Sequence, residues 1–265
     1  MPTGPGRPAA DDRRENLPTM TLLDHLEELR RRIVYSLVAV ITGIAAAWGF
    51  RDRIYEFLAR PIQPFLPEGR KLAFLGIADP FIIYFKMCAL VGTFAASPFL
   101  LYQLYAFVSP GLYRRERTWA FPFVLCGTLF FVAGGAFAYL VAFPFAVEFL
   151  LGMGAPFEPV ITVQKYFGFL LTMILGLGLM FELPIILFLL AAIGAVTPGF
   201  LLRHFRWAVL LIFVVAALVT PTPDVVNLCV FALPTIALYL LGVAGAWLVT
   251  RAKRKKRERE AHEAS

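Results

Sequence analysis

"FGFLLTMILGLGLMFELPIILFLLAAIGAV", residues 167–196, holds one ionisable side chain, Glu182, in an otherwise apolar run. A helix needs roughly 20 consecutive apolar residues to cross a hydrocarbon core of about 30 Å, and this run exceeds that length. Polar and apolar residues do not alternate along it, as they would in a strand of a transmembrane barrel, so its backbone is satisfied as a helix. The rest of the chain has the same character. Of its 265 residues, 59% are hydrophobic and 16% charged, against about 25% charged in soluble domains, and the mean hydropathy is +0.73. The sequence therefore predicts an all-α integral membrane protein.

Five further apolar runs lie at 33–50, 81–108, 119–151 (broken near Pro144), 207–219 and 225–250. Six spans put both termini on one side, and the basic residues say which side, because arginine and lysine accumulate in cytoplasmic segments. Eighteen of the 25 stand with the termini, among them Arg30, Arg31, Arg32, Arg114, Arg115, Arg117, Arg203, Arg206 and the tail RAKRKKRER. The other side has Arg51, Arg53, Arg60, Arg70, Lys71 and Lys165, and Lys86 is left inside the second run. Both termini are expected in the cytoplasm. No internal repeat is visible, so residues 21–250 read as one membrane domain. Residues 1–20 are polar and proline-rich without an apolar centre; they read as a disordered cytoplasmic tail, not a signal peptide. Residues 251–265 read as a basic cytoplasmic tail attracted to anionic lipid, with no nucleic-acid role assigned. Cys88, Cys126 and Cys229 fall in three different runs with no CxxC pair, which fits small buried hydrophobes.

The fifth run has about 13 apolar residues and reaches only roughly 20 Å. It is either a short helix whose mismatch the bilayer absorbs or a device that thins the membrane and leaves a notch for another helix. On the outer side, 51–80 and 144–166 are too long for tight turns and rich in proline, Pro61 and Pro64 among them, which predicts a rigid cap of short helices.

The acids carry the functional signal. Glu182 lies near the middle of the fourth run, where a charged side chain costs about 2.5–3.5 kcal/mol on the insertion scale, so it is held neutral or faces a wet cavity. Pro184 adds polarity at the same depth by removing a backbone donor. In LLDHLEELRRRI, before the first run, Leu22, Leu26, Leu29 and Ile33 form the apolar stripe of an interfacial amphipathic helix. Glu27–Arg31 and Glu28–Arg32 are at i,i+4 on its polar face, and internal pairing is one reading of them. Glu116 repeats the arrangement among Arg114, Arg115 and Arg117, and two such carboxylates could instead share one cationic ligand. Arginine suits that part because its planar guanidinium pairs bidentately with carboxylate and stays charged.

At these residues the sequence resembles the TatC family, the signal-peptide receptors of the twin-arginine translocase. HLEELRRR, ASPFLLYQLYAFVSPGLYRRER, FELP and TPTPD carry the resemblance, which runs over residues 21–248. It implies a concave, glove-like set of six helices with the fifth and sixth short; the sixth run matches that only if Pro234 bends it or its end leaves the membrane. It also implies that Glu28 and Glu116 bind the twin-arginine motif, with Arg30 and Phe107 on the same recognition surface. Glu182 would meet polar groups on partner helices, while Pro61 and Asp224 match outer-loop positions. The implied partners are single-span TatA- and TatB-type subunits, twin-arginine signal peptides of folded cargo, membrane lipid and further copies of the receptor. Export of folded proteins driven by the proton-motive force follows, with no cofactor or metal and no catalytic residue.

The alternative reading is a proton-coupled secondary transporter, which would also carry a buried glutamate beside a proline; the related halves and opposed broken helices expected of one are not visible. A membrane enzyme would need its nucleophile and base, or metal ligands, at one depth. His25, His204 and His262 all fall on cytoplasmic segments, and HExxH, GxSxG and phosphate-loop motifs are not found.

Overall fold

The computed structural model describes residues 22–66, 72–108, 120–154, 156–157, 160–220 and 224–263. Among the described residues there are ten α-helices: α1 (Leu22–Trp48), α2 (Arg51–Ala59), α3 (Asp79–Val108), α4 (Ala120–Phe137), α5 (Phe143–Met153), α6 (Val163–Phe181), α7 (Leu183–Ala192), α8 (Pro198–Arg203), α9 (Phe205–Val219) and α10 (Val225–Glu263). Five continuous or nearly continuous stretches have the length and composition to cross a membrane: His25–Trp48, Asp79–Val108, Phe121–Met153, Val163–Ala192 and Val225–Arg251. The sixth apolar helix is α9, whose 15 residues extend only about 22 Å at 1.5 Å per residue. The all-α expectation with a short fifth span is met.

α6 is the centre of the bundle. Phe167, Leu170, Met173 and Leu177, at 3- and 4-residue steps, are all fully buried, as one face of a 3.6-residue repeat requires. α4 and α3 pack on one side of it, while α9 and α10 approach from the other. α1 lies outermost and packs chiefly on α3. Its other face leaves Ile33, Leu37 and Ile41 more than half exposed, a surface suited to lipid tails. The close approach is made by glycine: a Cβ on Gly43 would stand 2.6 Å from the carbonyl oxygen of Gly92, and one on Gly92 2.6 Å from the amide nitrogen of Ile44. Only residues without a side chain let these backbones touch.

Proline shapes the spans in three ways. In α3, Pro98 has no N–H to offer Phe94, and the Ser97 hydroxyl donates to that carbonyl instead at 2.8 Å, so the helix continues. The third span widens into a π turn at Ala138–Ala142 just before Pro144, accommodating the ring that would clash with the preceding turn. In the fourth span the helix breaks at Glu182, two residues before Pro184. α10, by contrast, runs through Pro234 without interruption and continues to Glu263. Where the sequence predicts an interfacial helix followed by a span, α1 is one unbroken helix; residues 22–42 contain neither glycine nor proline to separate the two.

The end of the bundle at α2 is closed by a cap. α2 leads into a 3₁₀ segment, Arg60–Phe65, with Pro61 in its first turn. The Tyr166 hydroxyl of α6 donates to the Leu58 carbonyl at 2.8 Å, and the Tyr139 hydroxyl donates to that of Phe57. Ala73 joins the start of α6 through a parallel bridge to Thr162. Asp224 is the N-cap of α10, accepting from the Asn227 amide at 2.7 Å and from its side-chain nitrogen at 2.8 Å.

Candidate functional site

At the end of the bundle opposite the cap, α1 and α3 form a polar corner. His25, Glu28 and Arg32 recur at 3- and 4-residue steps and so share one face of α1. Gln103 and Phe107, four apart, share the facing side of α3. The Arg32 guanidinium donates through Nε at 2.9 Å and through Nη2 to one oxygen of Glu28, Oε1. Its remaining nitrogen, Nη1, donates to Gln103 Oε1 at 3.1 Å. One arginine therefore clamps the carboxylate of α1 to a buried amide of α3. Beside the clamp the rings of His25 and Phe107 stack at 4.5 Å between centroids and 23° between planes.

The internal pair does not exhaust the carboxylate. Among the described residues Glu28 Oε2 is buried and has no hydrogen-bond partner, a state that costs about 1–3 kcal/mol for a neutral group and more for a charged one. In that condition the oxygen keeps an unused capacity to accept a hydrogen bond. The neighbouring aromatic pair offers the flat face on which a guanidinium stacks. Of the two i,i+4 pairs legible in the sequence, Glu28–Arg32 is formed. Glu27, Arg30 and Arg31 are exposed to solvent. Glu116 lies outside the described residues.

Glu182 is placed elsewhere. It occupies the turn between α6 and α7, is 7% exposed, and neither of its oxygens has a hydrogen-bond partner among the described residues. α4 reaches it at Gly127, where a Cβ would lie 3.3 Å from Glu182 Oε2 and 2.9 Å from a Leu101 methyl. Leu101 is two residues from Gln103 on α3, and such positions point to opposite sides of a helix. Leu101 and Tyr105 face α4, Tyr105 meeting Phe123 at 5.2 Å, whereas Gln103 and Phe107 face α1. Glu28 and Glu182 thus sit on opposite flanks of α3, with the apolar cluster of Leu101, Tyr105, Phe123 and Leu189 on the Glu182 side. Pro61 lies in the cap and Asp224 at the start of α10, and neither belongs to either place.

Sequence reasoning did not single out Gln103 or His25 as parts of this corner. A glutamine inside an apolar run was the available signal, since a buried amide needs a partner; its partner is 71 positions away and is fixed only by the packing of α1 on α3. Among the described residues no group of three or more histidine, cysteine, aspartate or glutamate side chains could hold a metal ion.

Comparisons with known proteins bear on the family and the fold. Residues 24–234 match the family model described as Sec-independent protein translocase protein (TatC). The chain is 46% identical over 253 residues to the Sec-independent protein translocase protein TatC of Koribacter versatilis, covering 94% of this chain and 93% of that protein. It is 37% identical over 243 residues to TatC of Desulforapulum autotrophicum, covering 91% and 88%. In structure it is similar to a crystal structure of the twin-arginine translocase receptor TatC, with a TM-score of 0.75 and 34% identity, over 85% of this chain and 99% of that one. With its long apolar helices and this match along most of its length, the chain is a multi-pass membrane protein that belongs to the TatC family of Sec-independent protein translocase proteins.

Proposed function

We propose that this chain is the signal-peptide receptor of a twin-arginine translocase, embedded in the cytoplasmic membrane with both termini in the cytoplasm. The corner of α1 and α3 receives the twin-arginine motif. One incoming guanidinium takes the vacant oxygen of Glu28 and stacks by Phe107; the second pairs with Glu116, with Arg30 on the same surface. The apolar part of the signal then lies along the bundle toward Glu182. That buried carboxyl meets polar groups of single-span TatA- and TatB-type subunits, and receptor copies associate to export folded cargo using the proton-motive force. Pro61 and Asp224 keep the outer cap and turn in shape. The observation that carries the reading is the buried Glu28 Oε2, without a hydrogen-bond partner among the described residues, beside the His25–Phe107 stack.

Its test is export of a folded fluorescent reporter bearing a twin-arginine signal, in cells whose own receptor gene is deleted and replaced by this chain together with its TatA- and TatB-type subunits. Wild type is expected to export it, a twin-lysine signal to export poorly, and Glu28→Gln and Glu116→Gln to abolish the preference while the receptor accumulates normally. Export at the wild-type rate by both variants, with the arginine preference intact, would overturn the assignment.

A further inference from the structure

α3 and α6 both begin at the capped end and run in the same direction, and on the flank away from α4 they leave a trough between them with a volume of about 300 Å³. Lys86 and Gly168 line its capped end, Leu90 and Thr172 its middle, and Thr93 and Leu175 its deep end. Lys86 stands seven residues into α3, about 10 Å along the axis, is exposed, and has no ion-pair or hydrogen-bond partner among the described residues. The two threonines do not make the trough polar. The Thr93 hydroxyl donates to the Ala89 carbonyl at 2.8 Å and that of Thr172 to the Gly168 carbonyl at 2.7 Å, so neither donor is free. Gly168 widens the opening: a Cβ there would meet nothing within 4 Å.

One cation at the mouth among the described lining residues, Lys86, and an apolar furrow running inward ask for a ligand with an anion at one end and hydrocarbon at the other. A lysine at this depth reaches the headgroup level by extending its four-carbon stem along the helix. We infer that the α3–α6 trough is a binding site for one anionic phospholipid, its phosphate at the Lys86 ammonium and one acyl chain lying between α3 and α6 from Gly168 to Leu175. The lipid belongs to the leaflet at the capped end, opposite the Glu28 corner. It stands independently of how signals are read. Its physical effect is to fill the flank of α6, the central helix, with hydrocarbon and to give Lys86 a counter-charge.

The experiment uses the full chain purified in detergent, supplied with phosphatidylglycerol or phosphatidylcholine of the same acyl chains, and read by native mass spectrometry for retained lipid. Wild type is expected to retain phosphatidylglycerol about fivefold better than phosphatidylcholine, the factor of one basic side chain at an anionic surface. Lys86→Gln should retain both lipids equally, and Gly168→Leu, which fills the trough from an open position, should lose tight retention of both. Equal preference for phosphatidylglycerol in wild type and Lys86→Gln, or unchanged retention in Gly168→Leu, would overturn the site. So would loss of co-purifying single-span subunits in Lys86→Gln with lipid preference unaltered, since the occupant would then be an acid of a partner helix.

Discussion

Replacing Gly92 by alanine tests the packing that holds the α1–α3 corner together. The new Cβ would lie 2.6 Å from Ile44 N and 2.7 Å from the carbonyl carbon of Gly43, whereas relaxed carbon contacts are about 3.5–4.0 Å. Both neighbours are backbone atoms, so no rotamer change relieves the overlap and α1 must move off α3 by about 1 Å. Overpacking of this kind costs about 1–3 kcal/mol, offset by about 1 kcal/mol of helix propensity gained over glycine. Gly168→Ala supplies the reference, because it makes the same exchange inside a helix where a Cβ meets nothing within 4 Å. The difference between the two variants isolates the contact at about 1–3 kcal/mol, which is about 2–12 °C in melting temperature for a chain near this size. Thermal unfolding of the purified proteins in detergent, followed by loss of the monodisperse species, measures it. Because Arg32 bridges Glu28 to Gln103 across the same interface, Gly92→Ala should also weaken signal-peptide binding while Gly168→Ala leaves it unchanged. Equal melting temperatures for the two variants would refute the glycine contact.

Three other outcomes follow from single bonds. Asp224→Ala removes both acceptors at the start of α10 and should lower stability by about 0.5–2 kcal/mol, with Asp224→Asn restoring most of it; thermal unfolding of the pair decides. Tyr166→Phe strips the buried Leu58 carbonyl of its donor and should cost about 1–3 kcal/mol, and hydrogen exchange should show the α2 cap opening before the bundle. Glu182→Leu removes a buried carboxyl that has no hydrogen-bond partner among the described residues, so the isolated protein should melt at the same temperature or higher, while co-purification of single-span subunits falls. A lower melting temperature for Glu182→Leu would mean that the carboxyl supports this chain and is not held for a partner.

Much of the fold was legible because membrane spans are written in runs of residue type. The short fifth helix and the disturbance at Pro144 follow from local chemistry and appear as α9 and the π turn; Pro184 was legible as a lost backbone donor, whereas the α6–α7 break beside it was not read from the sequence. Three things depended on tertiary packing. Gly43 and Gly92 look like ordinary small residues in apolar runs until α1 and α3 are brought together. The Tyr139 and Tyr166 hydroxyls find carbonyls more than eighty positions away, which no periodicity encodes. Glu28–Arg32 was visible as a helical pair, but the extension of Arg32 to Gln103, and with it the vacant second oxygen, exists only across the interface. α10 was read to 250 because apolar residues end there; Lys, Arg, Glu and Ala beyond that point are strong helix formers and carry the helix on to Glu263.

The most direct test of the central claim is a double-mutant cycle between receptor and signal. Binding of a twin-arginine peptide and its twin-lysine counterpart would be measured by titration against the purified wild type and Glu28→Gln. If the vacant oxygen of Glu28 takes a signal guanidinium, the four affinities should give a coupling of about 1.5–3 kcal/mol, the range for a hydrogen bond to a charged group, or roughly tenfold to a hundredfold in binding constant. A coupling near zero, with Glu28→Gln still preferring arginine as strongly as wild type, would show that Glu28 serves only Arg32 and that the α1–α3 corner does not read the signal.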